Sequence, residues 1–301
     1  MDKIESLLVI VDPTVERDFA LKKAKLIAKL SKAKVHFFIN NANTLHKDSY
    51  IYEGIDADFF DTQKKLFRDH FEKQLHDHVD EFANADIEAS YSFEENHHLA
   101  EAIISKAKEL KPDLVIKSTH HHSAINRSLL SNTDWRLIRK CPATLLLVKP
   151  ELWQPEGSIV AAVDPLHFKT EQSDLDSKIV ETTAFLCKEF NLSPGIFHSY
   201  YPFVSTLFPM GGETKEHLDR IRQQHLDKVS ELTNSVGIKQ ENIHVTEGDL
   251  IQSLVEYLEE VRGNVLVVGA LSKNILERAI IGNTAEKILE NCPSDVMIVK
   301  S

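Results

Sequence analysis

The sequence contains only three cysteines, Cys141, Cys187 and Cys292, and no Cys-x-x-Cys pair among them. This spacing supplies neither a redox motif nor a metal-binding knuckle, so the three read as small buried hydrophobes. Long apolar runs are missing as well: nothing approaches the ~20 residues that a membrane-spanning helix needs. The opening MDKIESLLVIVDP breaks at Asp12-Pro13, too early for the apolar region of a signal peptide. A cytoplasmic location is expected. There is no cationic surplus either, with 35 Lys and Arg against 46 Asp and Glu and a formal net charge of −11. That balance excludes a duplex-binding surface, which needs clustered Lys and Arg to neutralise phosphates. Catalytic signatures are also lacking, with no Gly-x-Ser-x-Gly, His-Glu-x-x-His, Gly-x-x-x-x-Gly-Lys-Ser/Thr or Gly-x-Gly-x-x-Gly. The fifteen histidines and many carboxylates show no spacing that selects a triad, so no enzyme is expected.

What is present is an ordinary globular composition, 42% hydrophobic and 27% charged over 301 residues, and a repeat. Asp113 to Lys149 lies over Asn264 to Lys300 without a gap. Arg127/Arg278, Asn132/Asn283, Thr133/Thr284, Cys141/Cys292, Pro142/Pro293, Val148/Val299 and Lys149/Lys300 coincide. A repeat unit of about 150 residues can bury its own core, whereas solenoid repeats of roughly 20–50 cannot. The chain is therefore expected to hold two duplicated domains, 1–150 and 151–301, joined at Pro150–Gly157, where two prolines and a glycine interrupt structure.

Each copy alternates strand and helix patterns. In the first, apolar runs at 6–12, 35–40, 87–93, 113–118 and 143–149 read as strands, and helical patterns fall at 14–31, 98–110, 133–140 and a long segment presenting Phe67, Phe71, Leu75, Val79 and Phe82. The second repeats the order, with strands at 158–164, 195–201, 242–248, 264–269 and 295–300 and helices at 176–191, 213–235, 249–262 and 284–291. Strands separated by helices imply right-handed crossovers, so the expected fold class is α/β: two tandem, doubly wound, mainly parallel five-stranded sheets.

In such sheets ligands bind beyond the carboxyl ends of the strands, which directs attention to the loops after the first and fourth strands. Both first strands end in Val-Asp-Pro, at Asp12 and Asp164, and an aspartate there serves equally to cap the next helix. After its fourth strand the second copy reads Gly269-Ala-Leu-Ser272 and, further on, Gly282-Asn283-Thr284, which sets N–H groups and a hydroxyl at a helix start, a seat suited to an anion. Thr284 as a plain helix cap is the simpler reading.

The strand-one aspartate, the glycine-punctuated run after strand four and the alternating five-stranded unit together resemble the universal stress protein family, whose sheet is of the adenine-nucleotide alpha hydrolase type. The resemblance covers both halves, and Gly282-Asn283-Thr284 and Thr133-Asp134-Trp135 look most like its E type. It implies that Asp164, Gly269, Gly282, Asn283 and Thr284 would lie by a nucleotide such as ATP. The chain departs from the family pattern at Ser272, where the second glycine belongs, and the first copy departs at all three glycine positions, with Ser118, His121 and Ser131. Its equivalents Asp12, Ser118, His121, Ser131, Asn132 and Thr133 are therefore not expected to hold ATP.

Two further features stand in loops at the ligand end. Consecutive histidines rarely point at one metal, so no zinc site is assigned, and His120 and His122 are only candidates for one. The loop after the second strand of copy two is aromatic and apolar, and Tyr200, Phe203, Leu207 and Phe208 are suited either to lining a pocket for a hydrophobic tail or to covering the sheet. The combined expectation is a stress-response binding module, an intramolecular pseudo-dimer able to dimerise further, that holds a small phosphorylated or amphiphilic ligand mainly in its second domain. The alternative is an ATP sensor or weak hydrolase using that domain alone.

Overall fold

The computed structural model describes residues 3–13, 18–41, 57–95, 98–119, 130–166, 170–201, 215–270 and 283–300. The chain divides into two compact units, and the division falls between Leu152 and Trp153.

The first unit runs β1 (Ser6–Ile10), α1 (Phe19–Ser31), β2 (Lys34–Asn40), α2 (Ala57–Ala83), β3 (Ala89–Glu94), α3 (Leu99–Leu110), β4 (Leu114–Ser118), α4 (Asn132–Lys140) and β5 (Thr144–Val148). All its pairings are parallel, in the order β3-β2-β1-β4-β5. The second unit runs β6 (Ser158–Ala162), α5 (Thr170–Phe190), β7 (Ser193–Tyr200), α6 (Lys215–Asn234), β8 (Ile243–Glu247), α7 (Leu250–Glu260), β9 (Gly263–Ala270), α8 (Asn283–Asn291) and β10 (Asp295–Lys300). Its order, β8-β7-β6-β9-β10, is also parallel throughout. Strand order reverses beside β1 and beside β6, as in doubly wound folds. The central strands are nearly continuous apolar runs because helices cover both faces: Leu7 to Val11, Leu114 to Ile116 and Val265 to Val267 are all buried.

The duplication is visible in turn chemistry. Lys32 and Asn191 close the first helix of each unit in the left-handed conformation, at φ 57° and 53°, and Lys111 and Arg262 do the same before the fourth strand, at 49° and 50°. Asp86 and Gly237 form a third such pair, at 58° and 71°. One side chain per copy also ties the chain entering the first strand to the fourth. Asp113 Oδ2 accepts from the Glu5 and Ser6 amides at 2.8 and 2.9 Å. Its repeat partner Asn264 accepts from the Gln154 amide and donates to the Gln154 carbonyl, both at 2.8 Å.

Several expectations are corrected in detail. The strands written to the Val-Asp-Pro aspartates stop earlier, at Ile10 and Ala162, so Asp12 and Asp164 lie in the following loops. Helix α1 is described from Phe19, because Asp18 takes the N-cap position and its carboxylate accepts from the Ala20 amide. Helix α5 begins at Thr170, ahead of the expected 176. Phe71, Leu75 and Phe82 of α2 are buried, and Phe82 meets Phe37 edge to face at 4.9 Å, but Phe67 is 47% exposed and Val79 only half-buried. For Phe67 the reason is length. A helix of 27 residues spans about 40 Å, whereas the six-residue β3 beneath it covers about 20 Å, so the early turns of α2 overhang the sheet.

Candidate functional site at the carboxyl ends of the strands

In the first unit the polar groups at this end bond to one another. Asp18 caps α1, accepts from the Ser118 hydroxyl at 2.7 Å, and accepts from the Asp12 amide at 3.4 Å. The Ala20 amide donates to Asp18 at 2.8 Å and to Ser118 Oγ at 3.2 Å, so that hydroxyl both donates and accepts. Ser131 caps α4 in a capping box: its amide and hydroxyl donate to Asp134 Oδ2 at 2.8 and 2.7 Å, while the Asp134 amide donates back to Ser131 Oγ at 3.2 Å. Asp134 is fully buried and pairs through Oδ1 with Lys117 Nζ at 2.9 Å, and that ammonium also donates to the Ser118 carbonyl at 2.8 Å. The positive end of α4 thus already faces a carboxylate of its own chain, and a phosphate brought there would meet that negative charge. Asn132 is exposed and Thr133 half-buried on the first turn of α4. His120, His121 and His122 lie outside the described residues.

The second unit differs at Gly269, the equivalent of Ser118. Gly269 ends the apolar part of β9 under α5. A side-chain carbon added to it would stand 2.5 Å from Leu175 Cδ2 and 3.0 Å from Ile179 Cδ1, so helix and strand approach closely because residue 269 has no side chain. The early start of α5 supplies Leu175. Where Ser118 carries a hydroxyl bonded to a cap in the first unit, Gly269 admits an apolar side chain in the second.

Beside Gly269's neighbouring strand β6, a stack of rings closes the end of β7. His198 and Tyr200 stand two residues apart on one face of that strand, and His225 of α6 lies flat against both, with ring centroids 5.0 and 4.1 Å away. His198 is buried. Its Nδ1 donates to the Val163 carbonyl at 3.0 Å, a bond that requires the proton on Nδ1 because a carbonyl only accepts. Its Nε2 meets His225 Nδ1 at 2.8 Å. The half-exposed Asp164 carboxylate stands 4.0 Å from His198 Nδ1. Tyr200 is buried in this stack, and its carbonyl accepts from the Gly248 amide at 3.1 Å. Asn283 and Thr284 open α8, their side chains lying outside the described residues, as do Ser272, Gly282, Phe203, Leu207 and Phe208. The structure therefore brings Asp164 and Tyr200 together at the end of β6 and β7, joined by two histidines absent from the sequence-based set. Period-two alternation in Gly195-Ile-Phe-His-Ser-Tyr puts His198 with Tyr200, but no spacing links His198 to His225. Among the described residues no group of three or more His, Cys, Asp or Glu side chains is placed to hold a metal ion, and no helix is long and apolar enough to cross a membrane.

The titratable groups follow burial. The imidazoles of His36, His78, His225 and His244 are each held below the ordinary value of 6.5, first because burial disfavours the charged ring. For His225 the neighbouring His198 lowers it further and Asp164 opposes. Burial also pushes the Cys187 thiol up to about 12, as an inert core residue requires. Each depressed histidine contributes stability that is present above 6.5. Below that value the unfolded chain binds protons that the native state refuses, so the contribution is lost as pH falls through the folded values. The urea midpoint is therefore expected to drop between pH 7 and pH 5.5. A flat midpoint over that interval would contradict the burial of these rings.

Two tandem, parallel, five-stranded α/β units make a duplicated doubly wound fold, and the polar groups described at the strand ends of the first unit are bonded to one another. The universal stress protein family model matches residues 3–149 and again 159–300, and the chain belongs to that family, carrying two copies of its domain. The similarity to relatives runs the length of the chain. Universal stress protein E homolog of Haemophilus influenzae is 25% identical over 99% of this chain and 98% of its own length, and universal stress protein E of Escherichia coli is 24% identical over 100% and 95%. Among solved structures, a Pseudomonas aeruginosa protein described as a universal stress protein superposes with a TM-score of 0.75 at 21% identity, covering 99% of this chain and 93% of that one. One from Archaeoglobus fulgidus gives 0.68 at 14%, covering 98% of each.

Proposed function

We propose that this chain is a cytoplasmic, non-catalytic stress-response protein that holds a small phosphorylated or amphiphilic ligand in its second domain. The observation that carries the assignment to one domain is the internal bonding of the other: Ser118 and Ser131 are committed to Asp18 and Asp134, and a carboxylate occupies the α4 helix start. Gly282, Asn283 and Thr284 lead into α8 with Ala285 at the position of Asp134, so the sequence has no counterpart there of the carboxylate that faces the start of α4. A cytoplasmic location accords with three buried cysteine thiols.

The competing reading is an adenine-nucleotide sensor or weak hydrolase confined to the same domain. Leu175 fills the space beside Gly269, and this favours a ligand other than ATP, because the glycine serves helix packing there. Mass spectrometry of the compound that co-purifies with the full chain separates the two. An amphiphile or phosphorylated metabolite is expected, whereas stoichiometric ATP would reverse the preference. Gly282→Val is expected to abolish retention and Ser131→Ala to leave it intact. The opposite pattern would move the site to the first domain.

A further inference from the structure

Near the amino ends of β2 and β3, away from the ligand end of the sheet, one imidazole stands between two hydroxyls. His36 Nδ1 meets Ser90 Oγ and His36 Nε2 meets Ser92 Oγ, each at 2.9 Å. Strand register sets this up: His36 lies opposite Ser90 and Phe38 opposite Ser92, and period-two alternation puts both serines on one face of β3. The ring is neutral at pH 7, because burial and then the Lys106 ammonium hold it below its ordinary value of 6.5, with Glu109 opposing. A neutral imidazole has one N–H and one lone pair, so in either tautomer one serine accepts from the ring and the other donates into it. Hydroxyls at equal distance on the two sides do not select a tautomer, and Ser90 donates to Nδ1 in one of the two forms. That distance is within the reach at which a neutral imidazole activates a serine. Ser90 is exposed and Ser92 half-buried, so a reagent arriving from solvent reaches Ser90 first.

The fold itself does not require this cluster. In the matching register of the second unit, Gly195 and His244 stand at the places of His36 and Ser92. Rings of Phe197, His244 and Tyr257 pack there instead. In the first unit the surroundings are charged. Lys34 pairs with Glu88 at 2.8 Å beside His36, and Lys106 of α3 pairs with Glu94 at 3.2 Å and Glu109 at 2.9 Å.

We propose that Ser90 is a nucleophile that takes an acyl group from an activated acyl donor, with His36 as its base, so that the β3 edge of the first domain is a covalent modification site. Ser90 Oγ attacks the carbonyl carbon and its proton passes to His36 Nδ1. The bond from that carbon to the leaving group breaks, and the group departs with the electron pair. The product is an O-acyl serine, and nothing is oxidised or reduced. The donor is an activated one, an aryl ester or an acyl phosphate, because a base by itself contributes only about 10²–10⁴-fold. The charged groups facing the pair are Lys34 and Glu88 at the strand starts, Glu94 at the end of β3, and Lys106 and Glu109 from α3.

p-Nitrophenyl acetate is the probe, applied to the full chain at pH 7.5, with acetylation read residue by residue by peptide mass spectrometry. Acetyl is expected on Ser90. The rate there is expected to fall about 100-fold in His36→Gln, which keeps polar groups beside the serines and lacks a base. In the unaltered protein the rate at Ser90 is expected to be level from pH 7 to pH 8.5 and to fall in acid as the ring is protonated. Acetylation of an exposed lysine such as Lys29 is expected to climb throughout that range. The pH profile uses no variant, so it decides the matter even where His36→Gln fails to fold. Absence of acetyl on Ser90, an equal rate in folded His36→Gln, or a rate at Ser90 that climbs with pH as the lysine's does would each overturn the proposal.

Discussion

Asp134→Ala is expected to cost about 3–5 kcal/mol of stability, the cost typical of removing one partner of a buried ion pair. Asp134 is fully buried, and Lys117 opposite it is 4% exposed, so the ammonium left behind has no access to water. Its remaining bond, to the Ser118 carbonyl, does not neutralise it. The same substitution removes the acceptor of the Ser131 amide and hydroxyl and so loosens the first turn of α4. Urea unfolding of the variant reads the loss as a lower midpoint at unchanged slope. A double change, Asp134→Leu with Lys117→Met, is expected to recover most of it, since apolar groups of similar volume need no partner. A single-variant loss under 1 kcal/mol would show that the pair is hydrated, and that the first domain's helix start is more open than its bonding indicates.

Phe197→Ala is the second change with a large expected effect, about 3–5 kcal/mol. Phe197 is 1% exposed on β7, paired to Ala162 of β6 on one side and His244 of β8 on the other. Its ring meets His244 and Tyr257, each at 5.8 Å, and those two stack at 4.5 Å. Gly195 lets Tyr257 lie this close, since a side-chain carbon there would stand 2.9 Å from its hydroxyl oxygen. Removing the ring opens a cavity beneath Tyr257, whose hydroxyl is pushed up to about 12 by burial and by Glu260. Alkaline difference spectra are therefore expected to show this tyrosine ionising closer to its ordinary value of 10 in the variant. A residue one place further along points to the opposite face. His198 faces α6 and the ring stack, so Phe197→Ala should leave the His198–His225 bond in place wherever the domain remains folded.

The α/β order of both copies was legible in the chain because local patterns carry it. Buried parallel strands such as Leu114-Val-Ile and Val265-Leu-Val are continuous apolar runs, helices repeat their apolar face every three or four residues, and the match of Asp113–Lys149 to Asn264–Lys300 announces duplication. The strand-end setting expected for Asp12 and Asp164 was not legible in the same way, since the strands stop at Ile10 and Ala162 and leave both aspartates in the following loops. Tertiary structure alone decided three matters. Only the meeting of α1 with the end of β4 shows that Ser118 is bound to Asp18, since a hydroxyl at a glycine position says that the family pattern is lost and not what replaces it. Only the extra turns of α5 bring Leu175 over Gly269, giving a glycine that suggested phosphate approach a packing role. Only the crossing of α6 over β7 joins His198 to His225 across residues 199–224, because hydrogen bonding depends on direction and distance in space, and no periodicity along a chain encodes a contact between two elements whose packing is set by their apolar faces.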